Sequence, residues 1–140
     1  MASINRGRFV LAGLAAGVVM NVISLLSWGL YAQEMLVILK SRGIVPPKGS
    51  GFLAIYFLMR FTWGFVAVWF YTMARARYGP GPKTAASVGA IYWVGSTMLS
   101  VVSYGMIGLF PITMLVKWAV ITLVAIMLST FLGAWLYREV

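Results

Sequence analysis

The side chains that could do chemistry in this chain are few, and Arg60 is the most informative of them. It lies in a long apolar stretch, preceded by residues 52–59 and followed mostly by further apolar residues. If that stretch spans a membrane, the arginine costs about 3 kcal/mol on insertion scales and marks a functional site by default. Two interpretations stay open: the guanidinium turns into a helix bundle, or it extends along the surface to the nearer headgroups.

Polar side chains on the other apolar stretches fall near the depth of Arg60, since a helix rises about 1.5 Å per residue. No carboxylate falls at that depth, because Glu34 lies too far along the first stretch. Such a layer keeps a positive charge and suits an anion, a lipid phosphate or a partner subunit's carboxylate. The predicted intramembrane polar layer consists of Arg60, Asn21, Ser24, Ser96, Ser100 and Thr122.

Most catalytic and metal-ligating residue types are missing from the chain. Its 140 residues include no cysteine, no histidine and two carboxylates, Glu34 and Glu139. This excludes disulfides and any thiolate or imidazole metal or haem ligand from these residues, and it removes the commonest general base. The sequence therefore predicts no catalytic site, no metal and no cofactor, and a membrane enzyme acting on lipid is the least favoured class.

The elements that must position Arg60 are apolar helices. Hydrophobic residues make up 62% of the chain and charged residues 9%. This composition has too few polar residues to cover the surface of a soluble domain. Runs of about 20 apolar residues cross the hydrocarbon layer as helices, and no stretch alternates with the period of a β-barrel. We predict a single all-α transmembrane domain over residues 1–140, a four-helix bundle with spans at about 8–31, 51–74, 84–109 and 113–137.

Small residues recur four apart in the first and the fourth spans. Gly13 and Gly17 share one face, and Ala125, Ser129 and Gly133 share another. Small side chains at this spacing let a second helix approach closely within a membrane. We predict that all five pack helices together, with a ligand groove as the alternative. Beyond residue 31 the first helix either projects past the bilayer or bends at residue 29 into an interfacial helix.

The net charge of +9 is concentrated at the ends of the spans. This placement is typical of membrane topology and anionic headgroups, so we expect lipid contact and no nucleic acid. Arg75, Arg77 and Lys83, around the turn between the second and third spans, are the predicted headgroup contacts. Six cations on the side of both termini, against four on the other side, predict that both termini are cytoplasmic.

A short pattern occurs twice: residues 24–30 read SLLSWGL and residues 100–106 read SVVSYGM. A weaker similarity joins the ends of the second and fourth spans. We therefore predict two parallel repeats of a helical hairpin, related by a pseudo-twofold axis along the membrane normal.

Three stretches carry a resemblance to a known group: residues 8–21 (RFVLAGLAAGVVMN), 77–85 (RYGPGPKTA) and 133–139 (GAWLYRE). Together they resemble small bacterial membrane proteins without an assigned function, over nearly the whole chain, and the GPGPKT turn is the most specific part. The resemblance implies a multi-pass four-helix protein of the bacterial inner membrane, and it brings no activity with it.

The sequence favours one function and leaves one alternative open. An accessory or scaffolding subunit of a larger membrane assembly, or a homo-oligomer, is favoured by the small-residue faces and six tryptophans. The alternative is a small anion or solute channel or transporter that uses Arg60 and the polar layer. The expected partners are membrane lipids and other membrane subunits or further copies of the chain.

Overall fold

The computed structural model describes residues 5–137, which form helices joined by short turns and contain no strand. This confirms the prediction of an all-helical chain with four helices long and apolar enough to cross a membrane. The helical elements are α1 (Arg6–Ser41), α2 (Ser50–Tyr78), α3 (Pro82–Trp93), a π-helical turn (Val94–Met98), α4 (Leu99–Met106) and α5 (Ile112–Leu136). The third span runs without interruption from α3 through the π-helical turn into α4.

Local sequence explains where the helices begin and end. Asn5 caps α1, because its side-chain oxygen accepts a hydrogen bond of 3.1 Å from the backbone N–H of Arg8. Between α2 and α3, Gly79 and Gly81 take φ values of 81° and 143°, which residues with a side chain rarely adopt. Pro82 then opens α3, where its missing N–H costs no helical hydrogen bond.

The first helix is continuous through Gly29 and does not bend into a separate interfacial helix. Its 36 residues extend for about 54 Å at about 1.5 Å per residue, well beyond a hydrocarbon layer of about 30 Å. Of the two possibilities for the region after Tyr31, the structure excludes the break at Gly29, and projection past a bilayer stays a prediction.

The four spans form a bundle in which α2 and α5 are central. Helix α1 packs on α2 and α5, helix α3 packs on α5 and α2, and α2 also contacts α5. Within residues 5–137, α4 packs on α5 but has no Cα within 8 Å of α1 or α2. The bundle is consequently tight at one end and loose at the other.

We call the tight end the packed half; it contains the C-terminal ends of α2 and α5. Its core is a cluster of buried side chains from all four spans, with a smaller cluster beside it formed by Met20, Ala125 and Ile126. The main cluster comprises Ala12, Ala16, Val68, Tyr71, Ala85, Val88 and Tyr137. We call the other end, around Arg60, Tyr104 and Trp118, the open half.

Candidate intramembrane site around Arg60

The packed half is closed by glycines that bring α1 and α2 together. A Cβ atom at Gly64 would collide with the backbone nitrogen and Cα of Gly17. On the same face, the ring of Phe65 covers Gly13 and the ring of Phe61 covers Gly17. Gly13 and Gly17 thus lie at the closest contact between two helices, with no room for a ligand groove.

The small residues of α5 lie at contacts with α1 and α2. The Ser129 hydroxyl, fully buried, donates a hydrogen bond of 3.1 Å to the backbone carbonyl of Ala16. Gly133 lies under the side chain of Val68, and Ala125 belongs to the smaller core cluster. Sequence reasoning missed Gly64, whose only signal is that it is the one small residue within the bulky stretch 61–66.

Arg60 lies at the boundary of the open half, where its side chain is half-buried. Its Nη2 donates a hydrogen bond of 3.2 Å to the Tyr56 hydroxyl. Its Cζ lies 5.0 Å from the ring centroid of Tyr56 and 5.7 Å from that of Trp63, distances typical of cation–π contacts. Aromatic faces and one phenol therefore stabilise the guanidinium, while its positive charge is not neutralised by them.

No carboxylate among residues 5–137 pairs with Arg60. The single acidic residue in this range is Glu34, and its carboxylate accepts a hydrogen bond of 3.1 Å from the Lys117 ammonium. This ion pair joins α1 to α5 and was not predicted from the sequence. Glu139, the other acidic residue of the chain, lies outside the described residues.

A cavity of about 320 Å³ lies between α1, α2, α4 and α5 in the open half. We call it the main cavity; six of its ten lining side chains are aromatic and one, Arg60, is charged. Its lining residues are Trp28, Tyr31, Met35, Tyr56, Arg60, Tyr104, Leu109, Phe110, Met114 and Trp118. A site of this composition can bind an anion and surround it with low-polarity walls that strengthen the electrostatic attraction.

A second space of about 260 Å³ separates α2 from α4, and we call it the lateral gap. It shares Tyr56, Arg60, Tyr104 and Trp118 with the main cavity. Arg60 consequently borders both spaces. The remaining lining residues of the lateral gap are Met59, Trp63, Ser96 and Ser100.

The lateral gap exists because the third span packs on α5 along its length, whereas its second half, α4, does not pack on α2. The Tyr104 ring stacks on Trp118, with centroids 5.6 Å apart, and the Trp93 indole donates a hydrogen bond of 3.0 Å to the carbonyl of Ala119. Toward the packed half, Tyr92 still contacts α2, since its ring centroid lies 6.1 Å from that of Trp63. This aromatic pair closes the lower end of the gap.

The structure divides the predicted polar layer into two groups. Arg60, Ser96 and Ser100 meet at the lateral gap. Asn21, Ser24 and Thr122 are buried, yet they line neither the main cavity nor the lateral gap.

Bonding within single helices explains why the layer does not form a shell around Arg60. The Asn21 amide donates to the carbonyl of Gly17 at 2.9 Å, and the Thr122 hydroxyl donates to that of Trp118 at 2.8 Å. Ser96 and Ser100 likewise donate to the carbonyls of Tyr92 and Ser96, at 2.7 and 2.8 Å. Hydroxyl and amide groups in helices commonly bond to their own backbone in this way.

The aromatic lining was also missed by the sequence analysis, although one signal for it was present. The repeated pattern places an aromatic residue at Trp28 and at Tyr104, and both side chains line the main cavity. The repeat therefore supplies equivalent residues to one site from two different spans.

The predicted headgroup residues lie at the end of the packed half. Arg75 donates a hydrogen bond of 2.9 Å to the carbonyl of Tyr137 and lies 5.7 Å above its ring, so it ties α2 to α5. Arg77 lies 5.7 Å from the ring of Tyr78, and Lys83 follows at the start of α3. Their contact with lipid headgroups stays a prediction.

Comparisons of this chain with models of protein families, with curated proteins and with solved structures find no match. The resemblance to small bacterial four-helix proteins thus stays a prediction, and the function must be argued from the geometry.

Proposed function

We propose that this protein is a non-catalytic integral membrane protein that uses Arg60 to bind an anionic group of another molecule. In this role it is an accessory or scaffolding subunit of a larger membrane assembly, or of its own oligomer. The observation that carries the proposal is the guanidinium of Arg60, which borders two cavities with shared lining residues and has no carboxylate in residues 5–137 beside it. Because an isolated cation inside a membrane is costly, an anionic group from a bound molecule would stabilise it.

The orientation that we propose has four membrane spans, with both termini and the basic turn on the cytoplasmic side of a bacterial inner membrane. Arg75, Arg77 and Lys83 would then contact anionic headgroups, and the open half would face the opposite side. Two parallel hairpin repeats agree with the shared position of Trp28 and Tyr104 in the main cavity.

The second candidate is a small anion or solute channel or transporter. It is favoured by Arg60 beside Ser96 and Ser100, and by the π-helical turn, since such turns often occur at functional sites. It ranks lower because the contact between Gly17 and Gly64 leaves no path between α1 and α2 in the packed half. Anion flux into proteoliposomes that disappears with Arg60→Gln would reverse this order.

The proposal is tested by identifying what the protein carries out of the membrane. Wild-type protein purified in mild detergent is expected to retain an anionic lipid or a partner subunit, seen by native mass spectrometry. Arg60→Gln should lose that species, since charge-assisted hydrogen bonds disappear, whereas Arg60→Lys should keep part of it. The matched control is Arg6→Gln, which removes an exposed arginine that lines neither cavity and is not among the predicted headgroup contacts.

Retention of the same species by wild type, Arg60→Gln and Arg6→Gln would contradict the proposal. A normal thermal transition for Arg60→Gln shows that a loss of the bound species does not come from unfolding.

A further inference from the structure

We infer that the molecule recognised by Arg60 is an anionic amphiphile, with its phosphate or carboxylate in the main cavity and its apolar chain in the lateral gap. The inference rests on the proposed function of Arg60 and adds the chemical class of the ligand. Three properties of the site lead to it: the donors in the main cavity, the walls of the gap, and the charge of Arg60.

The main cavity offers donors for an oxyanion. A guanidinium carries five N–H donors, and the described residues accept one hydrogen bond from Arg60, at Tyr56. The hydroxyl-bearing side chains of Tyr31 and Tyr104 line the same cavity. Phosphate and carboxylate oxygens are the groups that such a planar donor set binds best.

The lateral gap suits an apolar chain better than a polar solute. Met59 and Trp63 form its wall on α2. On the opposite wall, the hydroxyl protons of Ser96 and Ser100 are already donated to carbonyls of their own span. Beyond Arg60, Tyr56 and Tyr104, which also line the main cavity, the gap therefore offers an incoming group few polar partners.

The apolar wall of the lateral gap argues against a non-helical protein segment as the occupant. A non-helical segment would leave backbone N–H and C=O groups unpaired against apolar walls. A free inorganic anion would neutralise Arg60 and leave the gap without an occupant.

The charge of Arg60 also favours an anionic amphiphile over a neutral one. A neutral lipid offers the guanidinium no counter-charge, whereas one negative oxyanion neutralises it. Since hydrogen bonds to charged groups are worth about 1.5–3 kcal/mol each, an anionic amphiphile is expected to bind about tenfold tighter than a neutral one of equal chain length.

A cysteine reporter tests the inference, because the chain has no cysteine of its own. Ser100→Cys places a thiol in the lateral gap, and Ser103→Cys places one on the exposed side of the same helix. Both serines donate one hydrogen bond of 2.8 Å to the carbonyl four residues earlier, so the two substitutions are matched. Labelling by uncharged N-ethylmaleimide is followed in nanodiscs of phosphatidylcholine, with and without phosphatidylglycerol.

Phosphatidylglycerol is expected to slow the labelling of Ser100→Cys severalfold and to leave that of Ser103→Cys unchanged. Adding Arg60→Gln to Ser100→Cys should abolish this protection. Two further arms identify the source of the oxyanion: oleate supplies a carboxylate on an apolar chain, and inorganic phosphate supplies the anion alone.

Protection by oleate or phosphatidylglycerol, and not by inorganic phosphate, supports the inference. Equal protection by inorganic phosphate, or equal labelling with and without both anionic amphiphiles, overturns it. If Arg60→Gln nevertheless loses a partner subunit in native mass spectrometry, only the ligand class is wrong and the proposed function stands. If it loses nothing, both are wrong.

Discussion

The two halves of this bundle are made from the same four spans, but the helices touch in one half and are separated by a cavity in the other. In the packed half, glycine, alanine and serine let backbones approach until Gly17 and Gly64 touch. In the open half, Trp28, Tyr56 and Trp118 hold the helices apart around the main cavity. The difference shows how one bundle of four helices forms both a closely packed half and a cavity.

The interhelical hydrogen bonds and ion pairs of the two halves also differ, in how deeply they are buried. One interhelical bond of the packed half, from Ser129 to the Ala16 carbonyl, is buried on both sides. The open half is linked by exposed groups: the Glu34–Lys117 ion pair, and a hydrogen bond of 2.6 Å from Arg42 to the carbonyl of Gly108. We therefore expect substitutions in the packed half to affect stability more.

The largest effect is expected from Gly64→Ala. The added methyl group meets the backbone of Gly17, so α1 and α2 must move apart, at a cost of about 1–3 kcal/mol. Thermal unfolding in mild detergent should show a clear fall in midpoint. The matched control is Gly29→Ala, in α1, where no atom lies within 4 Å of the new Cβ. Equal midpoints for the two variants would show that the packed half is looser than described.

A smaller effect is expected from Ser129→Ala, which removes the buried bond between α5 and α1. Interhelical hydrogen bonds in membranes contribute about 0.6 kcal/mol on average, and the Ala16 carbonyl keeps its own helical partner. The control, Ser103→Ala, removes a bond of similar length that stays within one exposed span. Its unfolding midpoint should match that of the wild type, and a fall as large as that of Ser129→Ala would contradict the comparison.

The packed half is the part that sequence predicts best. Hydrophobic content and run length indicate four helices, and a spacing of four between Gly13 and Gly17 indicates which face is in contact. These features are local, so they survive in any arrangement of the spans. The partner face on α2 was not predictable in the same way, because Gly64 has no small neighbour at a regular spacing.

The open half was harder to predict because depth alone does not define a site. Residue counting placed Asn21 and Thr122 near the level of Arg60. Their side chains lie on other faces of their helices, however, and line neither cavity. Counting also cannot show that a serine hydroxyl bonds to its own backbone. The gap itself depends on which neighbour the third span follows, and the stacking of Tyr104 on Trp118 determines that through tertiary contact.

The smallest effect, and the finest test of the comparison, concerns Glu34 and Lys117. Their side chains are 37% and 47% exposed, so water screens the pair and its expected contribution is about 0.2–1 kcal/mol. A double-mutant cycle with Glu34→Gln and Lys117→Met measures the coupling free energy, which should fall as salt is added. A salt-independent coupling above about 2 kcal/mol would mean that the pair is shielded from water, and the open half would then be more closed than its geometry indicates.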